Sequence, residues 1–262
     1  MRKLAVLGAG NMGIALIEGL LKSDFIKAEN IYATRNRLDR LSSLKDVGVN
    51  VSNDNRKAVQ DSNFIIIAVK PHLVSSILNE IKQDLTEAYT LISIATGVTL
   101  NEISDIIGAD VKTYRAMPNT ASSVGEGMTC ISTLDENSDN KQKVKNIFDQ
   151  FGESIYIEEK MMDAATVIGA CGIAYSLRFM RAMMQGAIEI GFDSRTASKI
   201  VSQMVKGSAE ILIKSGNHPE EEIDKVTTPM GCTITGLNEM EHQGFSSSLI
   251  KGIVASHIKI NK

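Results

Sequence analysis

The sequence predicts an α/β fold: a doubly wound parallel sheet in the N-terminal part, followed by an all-helical domain. Three observations predict it. Short apolar runs alternate with amphipathic stretches up to about residue 158, the spacing of strand–helix–strand units. The run Phe64-Ile-Ile-Ile-Ala-Val69 is apolar throughout, as a strand buried on both faces must be. Beyond residue 158 the alternation stops, and helical periodicity continues through residue 212. The expected domains are therefore 1–158 and 159–262.

The elements follow in order. Strands are expected at 3–7, 30–33, 64–69, 90–94, 112–116 and 128–132, with amphipathic stretches between them at 12–22, 38–47 and 74–81. Residues 161–190 are apolar nearly all round, so that helix should be buried, either by its own neighbours or by a second subunit. Gly191 ends it, Asp193 or Ser194 can cap the next helix, and Gly216 ends that one. Pro219 with Glu220, Glu221 and Glu222 starts another helix, where the dipole favours acids in the first turn. A last helix fits 246–260. A homodimer is expected from the apolar helix.

Composition narrows the function. The 262 residues are 43% hydrophobic and 23% charged, ordinary for a globular chain. A net charge of -3 gives no electrostatic case for nucleic acid or an anionic membrane. No apolar run approaches the ~18 residues of a membrane span. Arg2 and Lys3 precede an apolar stretch, but Gly8 and Gly10 interrupt it, so a strand fits better than a signal peptide. Cys130, Cys171 and Cys232 are far apart and odd in number, which fits a reducing, cytoplasmic setting. His72, His218, His242 and His257 have no metal-ligand spacing, and no metal is expected.

The first expected strand runs into Gly8-Ala-Gly10-Asn11-Met12-Gly13, and a helix pattern follows. This is GxGxxG in its strand–turn–helix context, the Rossmann-type nucleotide fingerprint. Gly8 permits the turn, Gly10 lets a pyrophosphate approach, and Gly13 lets the helix pack on the strand. A glycine-rich turn without a ligand is the alternative. Cofactors with a free ribose 2'-hydroxyl are usually met by an acid after the second strand. Here the segment is Thr34-Arg35-Asn36-Arg37, so Arg35 and Arg37 can pair with a 2'-phosphate and Thr34 offers a hydroxyl. NADPH is expected over NADH, against the alternative of two solvated arginines. Later strand ends should form the rest of the rim: Ala68-Val69-Lys70-Pro71, then Ala95-Thr96, then Met117-Pro118-Asn119.

One segment breaks the helical half, Val226-Thr-Thr-Pro229-Met230-Gly231-Cys232-Thr233. Pro229 and Gly231 leave backbone N–H groups free, which can hold a carboxylate, and Thr233 adds a hydroxyl. Alone, it reads equally as an interhelical turn.

Taken together, GAGNMG (8–13), AVKP (68–71), RAMPNT (115–120), DAAT (163–166), GNHP (216–219) and VTTPMGCTITGL (226–237) resemble the pyrroline-5-carboxylate reductase family over essentially the whole chain. The resemblance implies NADPH-dependent reduction of a cyclic imine, L-1-pyrroline-5-carboxylate, to L-proline. It implies an intertwined dimer made by the helical domain and active sites between subunits; assembly of that dimer into a larger homo-oligomer is left open. It places Thr233 at the imine nitrogen, the backbone of Met230, Gly231 and Cys232 at the carboxylate, Glu159 near the substrate and Asn55 near the adenosine ribose.

This chain departs from the family where Gly169-Ala-Cys-Gly-Ile-Ala-Tyr175 replaces a Ser-Gly-Ser-Gly-Pro-Ala-Tyr run, and where Met230 replaces a common glycine. Two rival readings share parts of this pattern. A hydroxyacid dehydrogenase of the same plan needs a helical lysine and asparagine where this chain has Arg178 and Ala182, and arginine cannot give up its proton. A nucleotide-binding regulatory paralogue without turnover has the altered 169–173 segment as its support.

Overall fold

The structure, a computed structural model, describes residues 3–260. Arg2 and the outer ends of both expected domains lie outside the described residues. Contacts divide the chain into two compact units, residues up to 173 and residues 174–260.

The first unit is a single sheet of eight strands in the order β3-β2-β1-β4-β5-β6-β7-β8. Its elements are β1 (Leu4–Leu7), α1 (Asn11–Lys22), β2 (Ile31–Thr34), α2 (Ser42–Asp46), β3 (Asn50–Ser52), α3 (Asn55–Gln60) and β4 (Phe64–Ile67). They continue with α4 (Pro71–Ile81), β5 (Thr90–Ser93), α5 (Leu100–Ile107), β6 (Lys112–Met117), β7 (Gly127–Thr133), α6 (Ser138–Phe148), β8 (Gly152–Tyr156) and α7 (Met162–Ala165). A π-helical turn, Thr166–Cys171, follows α7.

All six expected strands form. Alternate residues feed two cores, one on each face. Leu4, Val6, Phe64 and Ile66 pack with Leu16, Ile17 and Leu20 of α1 and with Val144, Ile147 and Phe148 of α6. Ala5, Leu7, Ile65 and Ile67 pack with Val59, Val74, Leu78 and Ile103 on the other face. Period-two burial on both sides is why the 64–69 run is apolar throughout.

Three details differ from expectation. The sheet is not wholly parallel, because β7 runs antiparallel to β6. Only residues 118–126 connect them, with no crossover helix, and a parallel return needs about a dozen residues or more. The edge strands β3 and β8 were not foreseen; both are short, and Asn50 and Glu153 are exposed, so neither shows a strong apolar pattern. The stretch 38–47 is a 3-10 turn, Leu38–Leu41, followed by the short α2 rather than one helix. It buries little beyond Leu41 and Leu44.

The second unit holds most of α8 (Gly172–Glu189), then α9 (Ser194–Ser215), α10 (Pro219–Lys225), α11 (Cys232–His242) and α12 (Phe245–Ile260). Asp193 caps α9, accepting from the backbone N–H groups of Arg195 and Thr196, and Gly216 closes it in the left-handed conformation at φ 66°. The Tyr175 and Ser256 hydroxyls bond at 2.6 Å, tying α8 to α12.

The expected burial of the apolar stretch 161–190 is met within the chain only near its start, at Met162, Thr166 and Val167. No residue of α8 is buried, and Leu177, Phe179 and Ile188 are exposed. The neighbouring helices of the unit cover it in part, leaving Tyr175, Met180, Met183 and Met184 half-buried, and they expose aliphatic side chains themselves, among them Ile211, Leu249 and Val254. Among the described residues no helix is long and apolar enough to cross a membrane. So much exposed apolar area is the mark of a protein–protein contact.

Candidate functional site

Parallel register aligns the carboxyl ends of five strands. Leu7 pairs with Thr34 and Ile67, Ile67 with Ser93, and Ser93 with Arg115. The segments that follow these strands therefore share one rim, and β1 lies where the strand order reverses, the usual ligand crevice of an open α/β sheet.

The glycine turn has a distinct reason at each position. Gly8 has φ 79°, and a Cβ there would overlap the Val69 side chain. Gly13 packs so close that a Cβ would stand 3.2 Å from both Ala68 Cβ and Val6 Cγ1. Gly10 is different. Its φ of -81° suits any residue, and the nearest atom to an added Cβ is the Gly8 carbonyl oxygen at 3.8 Å. Nothing inside the protein demands glycine there, so the side left open faces what lies outside the turn. No side chain caps α1 and no acid stands in its first turn, so the N–H groups of Asn11, Met12 and Gly13 start the helix uncapped. A pyrophosphate fits this cradle, because bare N–H groups and the helix dipole both favour an anion.

Thr34 is buried and engaged on both sides. Its hydroxyl donates to Asn55 Oδ1 at 2.6 Å and accepts from the Gly8 N–H at 3.2 Å. Asn55 in turn donates to Glu80 Oε2 on α4 at 2.9 Å. The pair thus braces the glycine turn against α3 and α4. Arg35 is half-buried and donates from Nη1 to the Ala9 carbonyl oxygen at 3.1 Å, which leaves the rest of its fork beside the turn. Arg37 is exposed and bonds Asp39 at 3.0 Å. Of the two arginines, Arg35 is the one fixed at the glycine turn.

Along the rim, Lys70 has ψ 148° and Pro71 stands in the first turn of α4, so the segment turns out of the sheet and starts a helix at once. Ala95 is buried and Thr96 half-buried. Met117 packs with Cys130 and Met162. Asn119 is buried; its Oδ1 accepts from the Ala121 N–H at 3.1 Å and its Nδ2 donates to the Gly169 carbonyl oxygen at 2.9 Å. The π-helical turn, which carries Gly169, is therefore tethered to the end of β6.

Glu159 holds a position that its sequence surroundings concealed. Its Oε1 accepts from Arg115 Nη1 at 2.8 Å and from the Leu100 N–H, at the start of α5, at 2.6 Å. The Arg115 side chain is 5% exposed and that of Glu159 25%. The start of α5 carries a second acid, Glu102, in a capping box with Thr99. The Thr99 backbone and hydroxyl hydrogen bonds hold the Glu102 carboxyl below the usual carboxylate range, with help from the nearby Arg115 charge and against desolvation. The sequence places Arg115 in the expected strand 112–116 and in the RAMPNT motif, and neither names its partner. The signal that could have found it is a charge inside a strand otherwise buried, which requires a counter-charge.

In the helical unit, Thr233 lies not in a loop but in the first turn of α11, which starts at Cys232. Gly231 is the N-cap; a Cβ there would stand 2.5 Å from Thr228 Oγ1, and its carbonyl oxygen accepts from the Thr235 hydroxyl at 3.2 Å. No side chain caps α11 and its first turn has no acid. Thr233 is half-buried and Cys232 exposed. Uncapped N–H groups and the Thr233 hydroxyl thus stand together, an arrangement that can hold a carboxylate and orient a polar atom beside it.

Residues 159–262 match the family model for pyrroline-5-carboxylate reductase dimerisation, and residues 3–97 match that for NADP oxidoreductase, coenzyme F420-dependent. Pyrroline-5-carboxylate reductase 2 of Dictyostelium discoideum is 38% identical, over 100% of this chain and 93% of its own length. The chain belongs to the pyrroline-5-carboxylate reductase family. Pyrroline-5-carboxylate reductase 1 of the same organism is 42% identical over 98% of this chain, which spans only 49% of that longer relative. The crystal structure of Plasmodium falciparum pyrroline carboxylate reductase with NADP bound superposes with a TM-score of 0.88 at 31% identity, covering 99% of this chain and 97% of that one.

Against the family pattern, Met230 stands out. Its φ is 60°, a left-handed conformation that costs an L-residue about 1–2 kcal/mol and glycine almost nothing. The altered 169–173 segment, by contrast, keeps a helical course as the π turn and the start of α8. π turns recur at functional sites.

Proposed function

We propose that this protein reduces L-1-pyrroline-5-carboxylate to L-proline with NADPH, the last step of proline biosynthesis. The observation that carries this reading is the chain-long kinship with reductases of that imine, which joins a glycine-turn cradle and a helical dimerisation region in one polypeptide.

NADPH, when bound, supplies the hydride. The chain's own residues do the rest. Gly8, Gly10 and Gly13 with the α1 N–H groups of Asn11 and Met12 hold the pyrophosphate, and Arg35 takes the 2'-phosphate, with Thr34 and Asn55 bracing that corner. Ala68–Pro71, Ala95, Thr96 and Met117–Asn119 line the rest of the nucleotide groove. On the helical unit, the backbone at Met230, Gly231 and Cys232 binds the substrate carboxylate. The Thr233 hydroxyl orients the imine nitrogen; it is too weak an acid to protonate it unaided, and a protonated imine is already electrophilic. Glu159 keeps Arg115 neutralised near the rim.

The exposed face of α8, α9 and α12 is covered by a second copy, giving a homodimer that can build a larger homo-oligomer, and the free cysteines suit the cytoplasm. Residues 159–262 act as the dimerisation and substrate domain, and 1–158 as the NADP-binding domain. The hydroxyacid dehydrogenase reading lacks its lysine at Arg178, and the altered 169–173 segment that supports the regulatory paralogue keeps its helical course.

Two results test the reading. Wild-type protein with pyrroline-5-carboxylate is expected to consume NADPH absorbance, and Thr233→Ala to lower kcat/KM about 10- to 100-fold, the worth of one hydrogen bond to a charged group. Absence of wild-type turnover despite NADPH binding would remove the enzyme assignment. Arg35→Met is expected to cut the kcat/KM ratio of NADPH over NADH by about 10- to 100-fold, with NADH turnover little changed. An unchanged ratio would transfer the 2'-phosphate contact to another residue.

A further inference from the structure

Two non-glycine residues among those described have positive φ, Asp24 at 53° and Met230 at 60°. Aspartate tolerates this conformation because its short polar side chain can bond locally. Methionine has no such compensation. Met230 is also 101% exposed, so nothing in its own chain packs on it. Glycine would give the same backbone without the strain. A strained, uncovered apolar residue points to something outside the chain that its side chain meets.

Its neighbours say what that is. Met230 directly precedes Gly231, the N-cap of α11, and lies three residues before Thr233. On the reading given under Proposed function, the substrate carboxylate is held at this turn. We propose that Met230 is a specificity-determining residue, whose thioether side chain packs on the ring methylenes of the five-membered cyclic imine and crowds out a ring one methylene larger. An unbranched, polarizable side chain suits a wall of this kind.

The test compares the full-length wild type with Met230→Gly and Met230→Leu. Glycine keeps the left-handed backbone and removes the side chain; leucine keeps the bulk. Each is assayed with pyrroline-5-carboxylate and with its six-membered homologue, and its thermal unfolding and elution volume are measured. For Met230→Gly, unfolding no earlier than wild type and an unchanged elution volume are expected. Its KM for the five-membered imine should rise about 5- to 20-fold with kcat within about twofold, the pattern of lost binding that ground and transition states share. Its preference for the smaller ring should fall by about 10-fold or more, the range one methylene commands in a hydrophobic pocket. Met230→Leu should restore most of that preference. Unchanged KM and preference in Met230→Gly would overturn the inference, and so would a shift in elution volume, which would place the side chain against a partner copy. A wild type that turns over neither imine would instead sink the underlying reading, and the inference with it.

Discussion

Gly8→Ala is expected to lose about 2–5 kcal/mol of stability together with measurable NADPH binding, whereas Gly10→Ala keeps wild-type stability and still binds NADPH at least about 10-fold more weakly. The two glycines are two residues apart in one turn, yet the structure gives them different duties. Gly8 is required by the protein itself: φ 79° strains any L-residue, and a Cβ would drive into Val69, whose branched side chain has little freedom to yield. Gly10 meets neither constraint. Its backbone lies in an ordinary region, and the nearest atom to an added methyl is 3.8 Å away. A methyl at Gly10 therefore costs the fold little but occupies the path of a phosphate toward the α1 N–H groups. Thermal unfolding beside an NADPH fluorescence titration separates the two. Normal NADPH binding by Gly10→Ala would remove the pyrophosphate from this turn.

Glu159→Ala is expected to destabilise the protein by about 3–5 kcal/mol, because it removes the hydrogen-bonded counter-charge of the buried Arg115 guanidinium and leaves it only the Glu102 charge, to which it makes no ion pair. The mutation also frees the Leu100 N–H at the start of α5, which Glu159 Oε1 satisfies at 2.6 Å. Glu159→Gln keeps an acceptor for both donors and loses only the charge, so a smaller loss of about 1–3 kcal/mol is expected. The double variant Arg115→Met/Glu159→Leu should recover most of the stability, since an apolar pair of similar volume often replaces a buried ion pair at little cost. Denaturant unfolding of the four proteins measures this. Should Glu159→Ala unfold within about 0.5 kcal/mol of wild type, the Arg115 charge is met by something other than Glu159. The comparison also bears on the site. A Glu159 committed to Arg115 and α5 holds the rim in place, and its loss should lower activity through that rim.

Most of the nucleotide half was legible in the sequence, because its signals are local. A strand buried on both faces must be apolar throughout, and residues 64–67 are. A turn at φ 79° asks for glycine at position 8, and proline at position 71 both ends a strand and starts a helix. The cap of α9 was legible for the same reason: the capping residue lies within a few positions of the groups it satisfies. The absence of an acid after β2 could likewise be read directly, since that position follows the glycine turn at a nearly fixed distance.

What the sequence alone determined, then, is the two-part architecture, the glycine cradle and the break ahead of Thr233, each encoded by neighbours along the chain. Only the tertiary structure decided the rest. It joined Thr34 to Asn55, Asn119 to Gly169 and Glu159 to Arg115, partners 21, 50 and 44 residues apart, whose meeting depends on how the sheet orders its strands. It turned β7 back against β6 because the connection is too short for a crossover. It left α8 without a buried residue in its own chain, and it placed Met230 in a conformation glycine would hold more easily. The physical reason is common to all of these: hydrogen-bond periodicity and backbone sterics act over a few residues, while pairing of distant polar groups and burial of a helix face are settled by which surfaces the completed fold brings together.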